Sequence, residues 1–149
     1  NLYPKETEKS HATVTNGLSL NKLNPVDNYD TRGLSYEWCK GEIGQQVSVM
    51  FRKKGYVFGG HYHRGDDPSK NPEIFLLLHG SCNLIAYPNL TFPAVDVTFG
   101  PMTEAIIQPD TWHILRALTD ITLIEYRRTP FDKHKPDTYQ IDIRQLLPT

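Results

Sequence analysis

Residues 55–80 read GYVFGGHYHRGDDPSKNPEIFLLLHG, and they give the strongest indication of both the fold and the chemistry of the chain. A β-rich run ends in the histidine pair His61 and His63, and after a polar loop Glu73 opens a strongly apolar run. Side chains two residues apart on a strand point to the same face, with Cα atoms about 6.6 Å apart. The two imidazoles are therefore predicted to converge on one ion, about 2.1 Å from each ring nitrogen.

Short β-rich runs continue on both sides of this stretch, separated by Gly, Pro, Asn and Asp at a spacing of roughly 8–12 residues. This pattern predicts an all-β sandwich or barrel over residues 32–149, with a short C-terminal extension that adds an edge strand and a helical turn. Residues 1–31 are polar and are predicted to form an N-terminal arm, either loosely held or laid over the domain as a strand. A chain of 149 residues fits one such domain.

Two further residues extend the histidine pair. Glu73 lies at the head of its strand, where a buried carboxylate is costly unless it is paired or bound to a cation. His113 follows the turn at residues 108–112 and begins another strand. A histidine pair alone fits two hydrogen-bonded surface histidines equally well, but three imidazoles and one carboxylate are a common set for a borderline metal. We predict one divalent transition metal ion (Fe, Mn, Ni, Co or Zn) on His61, His63, Glu73 and His113, and no catalytic residue is assigned.

At these residues the chain resembles the cupin superfamily, in its small single-domain, RmlC-like form. The first cupin motif, G-x5-HxH-x3,4-E-x6-G, is matched from Gly55 to Gly80 with both flanks at the usual spacing. The second motif, G-x5-PxG-x2-H-x3-N, corresponds to the stretch ending at His113. The resemblance covers about residues 45–127. It implies a jelly-roll barrel of six or more strands, with the same four residues as metal ligands.

The chain also departs from the two motifs. Residues 64–72 separate His63 from Glu73, where the family has three or four residues, and Gln108, Asp110 and Ala117 replace the usual Pro, Gly and Asn. None of these changes removes a ligand. The lengthened loop is predicted to border the mouth of the site, and a passive surface hairpin is the alternative.

The apolar run after Glu73 is apolar on both faces. Ile74, Leu76 and Leu78 point away from the face of Glu73, so they need cover from a facing sheet or a second subunit. A homodimer is therefore expected.

Strand parity assigns some neighbouring side chains and leaves others open. Tyr56, Phe58 and Tyr62 alternate with the histidine pair, so they are predicted on the opposite face, as packing residues. Of Glu125 and Tyr126 one must face inward, and parity does not say which.

Composition excludes several partners. The net charge of −1 and the pI of about 6.6 give no basic field for nucleic acid or anionic lipid. No apolar run approaches the roughly 20 residues of a membrane span. Without a signal-peptide pattern, a cytoplasmic protein with a small-molecule ligand is expected.

Three functions remain open. The leading hypothesis is a metal-dependent enzyme that acts on a small carbohydrate-like or hydroxy-carbonyl substrate, by isomerisation or by dioxygenation. The resemblance also suggests a metal-free sugar-nucleotide epimerase or ketoisomerase, with a histidine base and a tyrosine acid, although such an enzyme has no evident use for Glu73. A non-catalytic ligand-binding cupin is the third.

Overall fold

A computed structural model describes residues 10–15, 17–26, 33–134 and 136–148. Within these ranges the regular structure is all β apart from three short 3-10 turns, at Pro68–Lys70, Pro88–Leu90 and Ile143–Gln145. The strands are β1 (Ser10–Thr15), β2 (Leu18–Lys22), β3 (Gln46–Arg52), β4 (Val57–His61), β5 (Glu73–His79), β6 (Cys82–Tyr87), β7 (Thr91–Phe92), β8 (Val95–Phe99), β9 (Thr103–Ile107), β10 (Trp112–Ala117), β11 (Ile121–Arg127) and β12 (Leu147–Pro148). The described part of the chain contains no helix long and apolar enough to cross a membrane.

The strands form two antiparallel sheets. Six strands lie in the order β1-β2-β9-β5-β11-β3, and four lie in the order β4-β10-β6-β8. The short β7 and β12 form a separate parallel pair. This arrangement confirms the predicted all-β jelly-roll barrel.

Alternate residues of the two sheets meet in an apolar core. Leu77 of β5, Leu84 of β6 and Leu123 of β11 are 0%, 0% and 1% exposed, and they belong to one continuous cluster. Burying each such side chain contributes about 1.5–3 kcal/mol relative to leaving it exposed.

Part of the polar N-terminal arm belongs to the barrel. β2 pairs with β9, and Leu18 and Leu20 are buried in the core cluster. Residues 1–9, 16 and 27–32 lie outside the described residues. The domain boundary at residue 31 stays a prediction, but Leu18–Lys22 is a barrel strand.

The outer face of β5 is covered by the chain itself in large part. Ile74 and Leu76 are only 5% and 3% exposed. Trp38 donates from Nε1 to Glu104 Oε2 at 2.6 Å, and Glu104 pairs with Leu76 across β9 and β5. The segment around Trp38 therefore lies on the face for which a facing sheet or a second subunit was expected, while Leu78, 37% exposed, stays open.

Open apolar surface lies on the edge strand β3 instead. Val47, Val49 and Phe51 share its outer face and are 59%, 56% and 71% exposed. The homodimer stays a prediction.

The C-terminal segment packs on the outer face of the four-stranded sheet. Leu146 is buried with Tyr62, Tyr87 and Trp112 in a second apolar cluster. The predicted C-terminal extension thus includes a helical turn and the short strand β12.

Candidate active site

A β-bulge sets His61 and His113 opposite each other on neighbouring strands. His113 of β10 pairs with His61 at the end of β4, but the next pair joins Ile114 to Gly59, so Gly60 is an extra residue. Gly59 and Gly60 have φ angles of +86° and +76°, which residues with a side chain rarely adopt. A Cβ at Gly59 would lie 2.9 Å from the His113 carbonyl oxygen. The two glycines therefore allow β4 to approach β10 with the imidazoles of His61 and His113 on the same face of the sheet.

The same bulge explains a wrong prediction about Phe58. Strict alternation places Phe58 with Tyr62, on the face opposite His61. With one residue inserted, Phe58 packs against the barrel core, whereas Tyr62 lies in the outer cluster as expected. Bulges reverse strand parity, and the sequence pattern did not indicate this one.

The structure brings the four predicted ligands together inside the barrel. The ring centroids are 4.7 Å apart for His61 and His63, 5.0 Å for His61 and His113, and 5.5 Å for His63 and His113. The Glu73 carboxylate lies between two of them. Its Oε1 is 3.2 Å from His63 Nε2, and its Oε2 is 3.0 Å from His113 Nε2.

Backbone carbonyl groups orient two of the imidazoles. His63 Nδ1 lies 2.6 Å from the carbonyl oxygen of Asp137, and His113 Nδ1 lies 2.9 Å from that of Thr111. Because a carbonyl oxygen only accepts hydrogen bonds, each Nδ1 carries a proton and donates it. Each Nε2 is thereby directed toward Glu73.

Glu73 and His113 form a buried ion pair. Burial alone would raise the pKa of the Glu73 carboxyl, but the nearby charge of His113, and after it that of His63, bring this pKa well below its ordinary value. Burial likewise opposes the charge on His113, yet the Glu73 carboxylate raises the pKa of that imidazole. The carboxylate is therefore satisfied by a protein cation.

The pKa of His61 is shifted in the direction opposite to that of His113. Burial, together with the charges of His113 and His63, lowers the pKa of His61 to about 4. The imidazole is therefore neutral at neutral pH and has a lone pair available. It is half-buried, in contrast to the buried His63 and His113.

The donor set fits a divalent metal ion. One ligand atom from each of His61, His63 and His113 lies within 4.8 Å of the others, and Glu73 stands outside this trio. His63 Nε2 is buried without a hydrogen-bond partner in the described part of the chain, so its 3.2 Å contact with Glu73 is an ion-pair distance only. Histidines that bind metal commonly donate their other ring N–H to a carbonyl group, as His63 and His113 do.

Three charged residues beside the cluster, Glu125, Arg127 and Lys70, were missed or left open by the sequence analysis. Glu125 is 6% exposed and accepts from Arg127 Nη2 at 2.9 Å. Burial and the Glu73 charge raise the pKa of Glu125 to about 7. Glu125 is thus the inward residue of the pair that parity left open, and Tyr126 packs edge-on against Trp38 on the outer face.

Lys70 comes from the lengthened loop at residues 64–72. It is 7% exposed, and its Nζ donates to Thr138 Oγ1 at 3.0 Å. Among the described residues no carboxylate forms an ion pair with it. Ser69, beside it, is 1% exposed. This burial disfavours the passive surface hairpin, and a lysine between two ligand-bearing strands was the available signal in the sequence.

Solved structures share this architecture. No family model and no curated protein sequence matches the chain. Crystal structures of dTDP-sugar epimerases and sugar ketoisomerases do match it over most of its length. The fold is that of an RmlC-like cupin.

Three of these structures illustrate the shared fold. The dTDP-4-dehydrorhamnose 3,5-epimerase of Sulfolobus tokodaii is 19% identical, with 95% of this chain and 90% of that chain covered and a TM-score of 0.66. QdtA, a sugar 3,4-ketoisomerase from Thermoanaerobacterium thermosaccharolyticum solved with TDP, is 16% identical over 88% of this chain and 95% of that chain, with a TM-score of 0.66. CapF from Staphylococcus aureus, a capsular polysaccharide assembling protein, is 26% identical over 80% of this chain and 32% of its own, with a TM-score of 0.57.

Proposed function

We propose that this cupin is a sugar-nucleotide epimerase or ketoisomerase, which moves a proton at a carbon next to a carbonyl group of the sugar. The observation that carries the proposal is the interior cluster of His61, His63, Glu73 and His113 in a barrel shared with the Sulfolobus epimerase and QdtA. This reverses the order of the sequence analysis, in which the metal-dependent enzyme led. Glu73 is no obstacle, since His113 satisfies its charge without a metal.

His61 is the base in this proposal. His63 and His113 are 4% and 2% exposed, whereas His61 is half-buried and is the imidazole that a substrate can reach. Burial and the neighbouring imidazoles lower its pKa to about 4, so it is unprotonated at neutral pH. A positioned histidine contributes typically 10²–10⁴-fold to such a proton transfer.

Lys70 supplies the charge that the reaction needs. Removing a proton next to a carbonyl group places negative charge on the carbonyl oxygen, and a fixed cation nearby stabilises that charge. The Lys70 ammonium is buried and has one hydrogen bond, to the hydroxyl of Thr138, among the described residues. Two N–H donors therefore remain for a substrate oxygen.

A metal-dependent form of the same chemistry is the second candidate, favoured by the histidine trio. His61, His63 and His113 would hold a divalent ion, with Glu73 beside them. A bound ion would polarise the substrate carbonyl group. In this form His61 is a ligand rather than the base, so the two candidates exclude each other. Dioxygenation stays a prediction.

Turnover with and without metal tests the proposal. Chelator-treated protein and protein reloaded with Mn, Fe, Co, Ni or Zn are incubated with a dTDP-linked 4-keto-6-deoxy sugar, and the products are separated. Equal turnover in both samples supports the metal-free enzyme. Turnover only after reloading supports the second candidate. A well-folded protein that binds TDP and converts no keto sugar contradicts both.

A further inference from the structure

We infer that Arg127 and Phe131 are positioning residues that hold the ammonium group of Lys70 in place beside the histidine cluster. The inference rests on the proposed function for its purpose, since Lys70 is the cation of that proposal, but its geometry depends on no substrate and on no metal. Arg127 is the last residue of β11, and Phe131 lies four residues further along the chain. Lys70 belongs to the loop between β4 and β5.

Arg127 connects its own strand to the turn at Pro68–Lys70. Its Nη2 donates to Glu125 Oε2 at 2.9 Å. Its Nη1 donates to the carbonyl oxygen of Ser69 at 3.3 Å and lies 3.5 Å from the Ser69 hydroxyl oxygen. The planar guanidinium group holds its partners in a set geometry. It therefore fixes the backbone next to the residue from which the Lys70 side chain extends.

The same turn is also held at its start. Asp67 is the N-cap, and its carboxylate accepts from the backbone N–H of Ser69 at 2.9 Å. The Asp67 carbonyl oxygen accepts from the backbone N–H of Lys70 at 3.0 Å. With the turn fixed in this way, the position of the ammonium group depends on what holds the end of the long and flexible lysine side chain.

Phe131 holds that charged end. The Lys70 ammonium nitrogen lies 5.0 Å from the centroid of the Phe131 ring, and the guanidinium carbon of Arg127 lies 5.1 Å from it. Both distances are within the roughly 6 Å over which an aromatic ring attracts a cation. The ring is anchored in turn, because the backbone N–H of Phe131 donates to Gln46 Oε1 at 2.8 Å. A fixed cation is what charge stabilisation at a carbonyl oxygen requires.

The rate at which an acetylating reagent modifies Lys70 tests the inference without substrate, in chelator-treated protein. Lys70 is 7% exposed and the Lys40 side chain is 84% exposed, so native Lys70 should react much more slowly than Lys40, as read by peptide mass spectrometry. Lys70 becomes reactive when its turn opens. Arg127→Gln should therefore raise the Lys70 rate at least about tenfold, the factor that corresponds to one lost hydrogen bond to a charged group. Arg128→Gln is the matched control, because Arg128 forms an exposed ion pair with Glu42, and it should leave the Lys70 rate unchanged.

Phe131→Leu is a second variant, which removes the ring and keeps an apolar side chain. Phe131 is 43% exposed, so this protein should fold normally. The Lys70 rate should rise about two- to fivefold, which corresponds to one exposed contact between a cation and a ring. Phe51→Leu, which changes a 71% exposed residue of β3, is the control and should leave the Lys70 rate at its native value.

Turnover of a dTDP-linked 4-keto-6-deoxy sugar separates a positioning role from a purely structural one. Misplacing a catalytic group by about 1 Å can cost about 100-fold in rate. Arg127→Gln protein with a native circular dichroism spectrum should therefore lose about this factor in kcat, with KM nearly unchanged. Arg128→Gln should keep the native kcat and KM.

Three results would overturn the inference. They are a native Lys70 that reacts as fast as Lys40, a native Lys70 rate in folded Arg127→Gln protein, and a native kcat in that variant. If Arg127→Gln does not fold, Phe131→Leu decides, and an unchanged Lys70 rate there counts against the inference. Failure of the proposed function is separate, since it would appear as absent turnover in native protein whose Lys70 still reacts slowly.

Discussion

His61 and His113 face each other across the β4–β10 pair because one residue, Gly60, is skipped in the register between them. Without that bulge, the parity of β4 would place either the histidine or Phe58 on the wrong side of the barrel. The bulge satisfies both, since Phe58 packs against the core and His61 joins the cluster. The position of the site therefore depends on two glycines that have no chemical role.

Gly59→Ala tests this dependence. The alanine Cβ would lie 2.9 Å from the His113 carbonyl oxygen at a φ of +86°. Gly55→Ala is the control, because Gly55 has a φ of +84° and its alanine Cβ would meet nothing within 4 Å among the described residues. Both changes should cost about 1–2 kcal/mol of backbone strain, measured by urea unfolding. Only Gly59→Ala should lower the free energy of unfolding by more than this strain and also reduce turnover. Equal effects of the two substitutions would contradict the role of the bulge.

Glu73→Gln tests the buried ion pair. Removing one partner of a buried pair costs about 3–5 kcal/mol, because it leaves the other charge uncompensated. The pKa of Glu73 is lowered in the folded state, so its contribution is present above its ordinary value of 4.5 and is lost as the pH falls through the folded pKa. The free energy of unfolding of the variant, measured with urea, should therefore fall furthest below the native value at neutral pH. It should also depend less on pH under acidic conditions.

Glu42→Gln serves as the control for Glu73→Gln. Glu42 forms an exposed ion pair with Arg128, and exposed pairs contribute little. A Glu73→Gln protein no less stable than Glu42→Gln at neutral pH would contradict the ion-pair account.

The sequence predicted the barrel and the four clustered residues well, because both depend on local patterns. The alternation of apolar and polar residues along a strand indicates which side chains share a face. The motif spacing places four residues near strand ends, namely His61, His63, Glu73 and His113. Contacts made by distant segments were not predictable in this way. Asp137 approaches His63 across 74 residues, and no periodicity reports such a contact.

Covering segments were equally hidden in the sequence. The outer face of β5 was expected to need a facing sheet or a second subunit, but an irregular segment around Trp38 lies on it. Lys70 was hidden for the same reason, since its burial depends on how a polar loop folds back over the barrel. Irregular backbone carries little pattern, so its packing becomes visible only in three dimensions.

Glu125→Gln should change how stability depends on pH. The pKa of Glu125 is raised from 4.5 to about 7 in the folded protein, first by burial and then by the Glu73 charge. Between these values the folded state holds a proton that the unfolded chain releases, so stability falls as pH rises across this window. In chelator-treated protein, the free energy of unfolding measured with urea should therefore fall less steeply with rising pH in this window for Glu125→Gln than for the native protein. An unchanged slope would show that Glu125 is ionised in the folded state.

Metal content tests the second candidate. If the histidine trio holds an ion, protein purified without added metal or a histidine tag should contain about one divalent ion per chain. His61→Ala and His113→Ala should each lower the occupancy and the melting temperature, because binding to the folded state stabilises it. His79→Ala, which changes an exposed histidine of β5, should alter neither. Equal metal content in all four proteins would contradict a site on the trio.

Proton transfer at a carbon next to a sugar carbonyl group can be followed directly by deuterium uptake. The native protein is incubated in D2O with a dTDP-linked 4-keto-6-deoxy sugar, and the sugar is analysed by mass spectrometry and proton NMR. We expect deuterium at a carbon adjacent to the carbonyl group, uptake reduced at least about 100-fold in His61→Asn, and normal uptake in His79→Asn. Substrate that binds without gaining deuterium in the native protein, or full uptake in His61→Asn, would contradict the account.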